Sequence, residues 1–269
     1  LTLLALAVTA AACSSDDGTS EDAEESAPTT VPSAARVESL ALDDVELGGQ
    51  PRVSLLLDQT TVQVWHGDLA FSIAIGPAQA TATGPSELTV NRSSGDGAVA
   101  TGTVGPLDLS LDADPPTNVD DALTYDLGFT VSANRLATEP TSAVTQSPEL
   151  DTDIIGDIDP SLAWFVFPVP EEPVGPGATW RLVGTITLFG ATFDVEVQVE
   201  VASITARAYA LDLTLDLELP SEEEPIALSG RGRVSGAPDQ VAPNRATISV
   251  SGGDRVLNLV VRRTAAPAA

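Results

Sequence analysis

The chain has 269 residues, of which 43% are hydrophobic, and it carries a formal net charge of −27 at pH 7. That charge repels polyanions, which excludes nucleic acid as a partner, and it repels an anionic membrane surface from the folded part. All 12 basic residues are arginine, aromatics amount to 4%, and one cysteine leaves no internal disulfide; a Leu/Val/Ile core must therefore hold the fold, and stacking platforms for sugars or bases are not expected.

Leu1–Ala12 is a short apolar run that ends in the small residues Thr9, Ala10, Ala11 and Ala12, and Cys13 follows directly. Small residues before a lone cysteine read as an incomplete lipoprotein signal peptide, cleaved between Ala12 and Cys13. Cys13 would then carry a diacylglyceryl group, and two acyl chains, at roughly 0.8 kcal/mol per buried CH₂, anchor stably where one is marginal. The expected location is the extracytoplasmic face of a cell membrane, with the lipid anchor as the attachment. Residues 13–35 hold Asp16, Asp17, Glu21, Asp22, Glu24 and Glu25 and then Pro28 and Pro32, with no basic residue before Arg36. Like-charge repulsion and low hydrophobicity predict an extended, disordered tether. No later apolar run approaches the ~18 residues of a membrane span.

Residues 36–263 are expected to form a single β-rich domain in two halves joined at about 150–178, with 264–269 as a tail. Period-2 alternation dominates this stretch. In Phe193–Val201 the valines share one face, while Asp194, Glu196, Gln198 and Glu200 take the other; Leu211–Leu219 sets leucines against Asp212, Asp216 and Glu218. Strands are expected near 52–58, 61–66, 69–75, 86–92, 98–112, 122–136, 179–189, 192–205, 208–219, 226–235, 246–251 and 255–263, some of them merging to give ten or eleven. Gly252-Gly253, Gly190-Ala191 and Ser94–Gly97 mark hairpin turns. Only 150–166 has any helical character, and Gly156 and Pro160 would break it. Strands this long predict a strongly curved antiparallel sheet or an open half-barrel with at most one or two short helices; a β-sandwich is the alternative. Nine acids in 194–224 precede six arginines in 231–263, which predicts acid–arginine pairs across neighbouring strands.

Catalytic patterns are weak. His66 is the only histidine and sits beside Gly67-Asp68, the setting of a strand end or turn. With one histidine and no cysteine after Cys13, zinc ligand sets cannot be assembled. Asp151, Asp153 and Gly156 match part of a calcium loop, but Ile155 and Leu162 occupy positions that need oxygen ligands. Asp112, Asp114, Asn118, Asp120 and Asp121 read as a solvated acidic loop. P-loop, GxGxxG and GxSxG patterns are missing, so neither an enzyme nor a cofactor is expected.

The segment Phe167-Pro168-Val169-Pro170-Glu171-Glu172-Pro173-Val174-Gly175-Pro176-Gly177-Ala178-Thr179-Trp180 is the most distinctive in the chain. It resembles the FP-x-EPVG-x-GA-x-W signature of an uncharacterised family of bacterial, notably actinobacterial, envelope lipoproteins. The resemblance implies a β-rich first half, a short helix-like stretch over Asp157–Phe165, this motif and a second run of strands, from about Pro51 to Arg263. It implies no activity. Physically the prolines enforce an extended path and Gly175 and Gly177 allow a sharp turn into a strand led by Trp180. Trp180, with Trp164 and Phe167, is expected either to plug the core or to line a ligand. The functional expectation is a non-catalytic, membrane-anchored envelope lipoprotein that binds or carries a lipid or other hydrophobic ligand. The alternative is a solid-cored spacer or a domain that contacts another envelope protein.

Overall fold

A computed structural model describes residues 40–58, 60–91, 97–112, 117–146, 168–188, 191–219 and 226–264. Cys13, Ala12, Trp164 and Phe167, the tether and the partial calcium loop at 151–159 lie outside these residues. Twelve strands are present, and no helix occurs among the described residues: β1 Ala41–Glu46, β2 Gln63–Ile75, β3 Ala78–Val90, β4 Ala98–Asp112, β5 Thr117–Val131, β6 Ala137–Gln146, β7 Thr179–Leu188, β8 Ala191–Ile204, β9 Tyr209–Leu219, β10 Ile226–Gly236, β11 Arg245–Gly252 and β12 Arg255–Arg263. They join in one antiparallel sheet in the order β1-β7-β8-β9-β10-β11-β12-β2-β3-β4-β5-β6. The protein is thus an open curved sheet and not a sandwich.

The differences from the expected strands have local causes. The ranges 61–66 and 69–75 fuse into β2, because Gly67 and Asp68 continue the ladder opposite Ser86 and Pro85. His66 therefore lies within a strand and not at a turn. The alternating segment 52–58 forms no strand. Its amides bond to several loops in succession, Val53 to Val174 and Leu57 to Ala133, so it crosses the sheet end instead of joining a ladder. The strand expected over 122–136 ends at Val131, and a turn at Ser132–Leu136 leads into β6. The acidic loop expected at 112–121 contributes Asn118, Asp120 and Asp121 to β5. At the last hairpin the two turn residues are Gly253-Asp254, since Gly252 pairs with Arg255. Gly253 at φ 62 supplies the positive first position that a II′ turn needs. Gly76-Pro77 does the same between β2 and β3, with Gly76 at φ 56.

Curvature has an identifiable origin. Gly84-Pro85 in β3 and Gly105-Pro106 in β4 fall where the β3–β4 register slips between Thr83 and Ser86, and β4–β5 slips beside it between Val104 and Leu107. Proline removes a ladder donor, and such irregularities bend a sheet sharply. A Cβ on Gly84 would sit 2.5 Å from the Pro106 carbonyl oxygen, so only glycine permits this approach.

The bend brings distant strands together at one end of the sheet. The β5–β6 turn and the β10–β11 connection would lie roughly 25–30 Å apart across a flat sheet of this order. Instead, Arg135 of the turn donates to the Pro238 and Gln240 carbonyls at 2.6 and 2.7 Å, and to the Leu55 carbonyl at 2.8 Å. The motif closes the same end. Val174 exchanges two backbone hydrogen bonds with Val53, Gly175 donates to Leu47, and Gly177 donates to Val201. A side chain at Gly175 would collide with the Gly49 carbonyl, and Gly177 has φ 73. Trp180 is 1% exposed, and its indole Nε1 donates to the Pro168 carbonyl at 3.2 Å. Leu55, Leu57, Trp65, Val90, Val131, Val169, Val174 and Tyr209 complete a solid core here.

Charges on the convex face follow the register and not the composition. Arg233 meets Asp212 across β9–β10 at 3.2 Å, as the acid–arginine pattern predicts. Across β8–β9, however, acid faces acid: Asp194 opposite Glu218, Glu196 opposite Asp216 and Glu200 opposite Asp212. Arg245 likewise faces Arg262. Each strand has two neighbours, so complementarity with β10 leaves β9 mismatched with β8.

Candidate functional site

The concave face changes character along its strands. On β9, Tyr209, Leu211, Leu213 and Leu215 are buried, whereas Leu217 is half-buried. On β10, Val234 is buried and Ile226 and Leu228 are half-buried. On β12, Leu259 and Val261 are buried and Leu257 is half-buried. Leu109 on β4 is half-buried as well, opposite the buried Ala82. Distance from the end closed by the motif is what these half-buried residues share. Burial falls toward the end that carries the Gly76-Pro77 and Gly253-Asp254 turns. An apolar surface partly open to water is what a hydrophobic ligand can cover, at about 25 cal/mol per Å² of apolar area removed from water.

A charged residue stands on this face toward its open end. Arg255 begins β12 on the same side as Leu257 and Leu259, opposite Gly252 on β11 and Ile75 on β2. Its side chain is 12% exposed. The Asp254 carboxylate is 3.9 Å from Nε, too long for a hydrogen bond, and is itself largely exposed. Arg255 Nε and Nη1 are buried without a hydrogen-bond partner among the described residues.

The other candidate residues serve the architecture. Arg135, 4% exposed at φ 65, holds three carbonyls and stands 5.9 Å over the Tyr209 ring. Burial pulls its pKa below the usual guanidinium range, opposed by Tyr209; burial also raises the Tyr209 phenol, opposed by Arg135. Trp180, expected as plug or ligand contact, packs inside the closed end. His66 points its Nδ1 at Glu87 on β3, 3.1 Å away and directly opposite in register. That is a cross-strand pair, and no hydroxyl nucleophile is hydrogen-bonded to the imidazole in the described residues. Near it, a cleft of about 240 Å³ is lined by Asp58, Gln63, Trp65, Asp239 and Arg263 among others. Several of its polar groups are engaged: Gln63 Nε2 donates to the Asp239 carbonyl at 2.7 Å, Gln63 Oε1 accepts from the Val241 amide at 2.9 Å, and Trp65 Nε1 donates to the Pro243 carbonyl at 3.0 Å, whereas Gln240 Oε1 is buried without a partner among the described residues. Hydrogen bonds from Thr60 to the Asp58 carboxylate hold its pKa below the usual value. Among the described residues no group of three His, Cys, Asp or Glu side chains could hold a metal ion.

Sequence reasoning did not single out Arg135 or Arg255. For Arg255 a signal was present, because period-2 alternation sets it in phase with Leu257, Leu259 and Val261. For Arg135 there was none, since its three partners come from segments distant in sequence. No family model, curated protein or solved structure matches the chain.

Proposed function

We propose that this is a non-catalytic, membrane-anchored envelope lipoprotein whose curved sheet holds a lipid or other hydrophobic ligand on its concave face. The observation that carries the reading is the loss of burial along β9, β10 and β12, where the apolar face continues past the solid core as Leu217, Leu228 and Leu257. Cys13 after Ala12, the acidic tether that follows and the motif from Phe167 to Trp180 support anchoring in the envelope. The net charge of −27 fits attachment through acyl chains and not through surface charge.

The competing reading, a solid-cored spacer or contact domain, draws on the closed end, where Trp180, Leu55 and Val174 fill the interior themselves. Native and denaturing mass spectrometry of the full chain carrying Cys13→Ser, purified without detergent, separates the two. A stoichiometric, organic-extractable adduct is expected. A bare protein that unfolds cooperatively and takes up no added lipid would favour the spacer.

A further inference from the structure

We infer that Arg255 makes the concave face selective for anionic amphiphiles, binding the carboxylate or phosphate oxygens of a head group whose acyl chain runs over Leu257, Leu228 and Leu217. The inference rests on the hydrophobic-ligand reading and adds the class of ligand. Arginine keeps its charge under all ordinary conditions and offers five donors in a planar fork that matches such oxygens. Burying it without hydrogen bonds is costly, so a buried guanidinium is ordinarily paired. Arg135 illustrates the rule within the same molecule: fully buried at 4% exposure, it donates to three carbonyls. Arg255, by contrast, leaves Nε and Nη1 unbonded among the described residues and has only Asp254 at 3.9 Å.

Its position fits the role. Arg255 stands in line with Gly252, whose missing side chain makes room for Leu228 against the strand, and next to Leu257 on the same face. The row continues to Leu228 and, through the β9–β10 register, to Leu217. A cation beside a half-open strip of leucines is complementary to an anion on a hydrocarbon chain. The rest of the protein works the other way. With a formal charge of −27 its general field disfavours anions, so a preference for an anionic over a neutral amphiphile requires a local cation.

The test uses the full chain with Cys13→Ser and measures binding of dodecanoate and dodecanol, equal in chain length and different in charge, by equilibrium dialysis at pH 8. Dodecanoate should bind about tenfold or more tightly than dodecanol, the factor expected of charge-assisted hydrogen bonds. Arg255→Gln should remove that preference and leave dodecanol binding unchanged, while Arg231→Gln on the convex face should alter neither. Arg255→Lys retains the charge and serves if Arg255→Gln fails to unfold cooperatively; it should keep most of the preference. Equal affinity for both ligands in the parent protein, or equal weakening of both by Arg255→Gln, would overturn the assignment while the hydrophobic-ligand reading stands. Binding of acetate as tight as dodecanoate would also overturn it, marking a free-anion site. Failure of both dodecyl ligands to bind would overturn this inference together with the reading it rests on.

Discussion

The two ends of this sheet are built from similar strands and finished in opposite ways. At the closed end, loops from four parts of the chain meet over the strand termini and bury Trp180, Leu55, Leu57, Val169 and Val174. Arg135 ties its own turn to two of those loops through three carbonyls. At the other end, the connections among the described residues are the tight two-residue turns Gly76-Pro77 and Gly253-Asp254. The same alternation of leucine and polar residue therefore yields core in one place and half-exposed surface in another. What differs is the connection, and a buried arginine with three acceptors at one end is answered at the other by a largely covered one whose Nε and Nη1 have no partner among the described residues.

That contrast can be broken most directly at Trp180. Truncation of a fully buried tryptophan leaves a cavity and orphans the Pro168 carbonyl, so Trp180→Ala should cost about 3–5 kcal/mol in urea unfolding. A loss under about 1 kcal/mol would mean the closed end is not the stable half. Arg135→Ala should follow at about 3 kcal/mol, because three buried carbonyls lose a charged donor together. Leu257→Ala on the open side should cost only about 1 kcal/mol, the residue being half-exposed already. If it proved as costly as Trp180→Ala, the concave face would be filled throughout.

Smaller effects sharpen the picture on the convex side. Asp216→Asn removes one of the acid-on-acid pairs between β8 and β9 and should stabilise by about 0.2–1 kcal/mol, read as a shift of the urea midpoint. The weakest effect concerns the edge strand β1, where Arg181 bonds Asp43 at 2.8 Å and also meets Asp44 and Glu196. The hydrogen bond from Arg181 is the main cause that lowers the Asp43 pKa from its ordinary 3.8. A depressed carboxylate pKa contributes stability that is present above 3.8 and is lost as pH falls through the lower, folded value. Hydrogen exchange of the β1 amides should therefore quicken in acid below that value relative to β8, and unchanged protection would remove the ion pair from the account.

The β character, the curved sheet in place of a sandwich, and most strands of the second half were legible in the sequence. Runs such as Val195-Glu196-Val197 and Leu213-Thr214-Leu215 have only one arrangement that buries their apolar face, and period 2 fixes it. The motif from Phe167 to Trp180 was legible as architecture for a similar reason: proline and glycine restrict the backbone locally. The edge strands β1 and β6 were not legible, since Asp43, Asp44, Thr138 and Thr141 carry no apolar alternation and owe their extended form to β7 and β5 beside them. Nor did the sequence reveal that 52–58, with Leu55 and Leu57 in strand-like phase, crosses the sheet end.

The sequence by itself determined the anionic surface, the strand periodicity and the side of the sheet on which each residue stands, because all three follow from composition or from the two-residue repeat. Only the tertiary structure decided which strands are neighbours, where Gly84-Pro85 and Gly105-Pro106 align to bend the sheet, and that Arg135 finds three carbonyls while Arg255 Nε and Nη1 find none among the described residues. Those outcomes depend on contacts between residues far apart in the chain, and no local preference of either arginine encodes its partners.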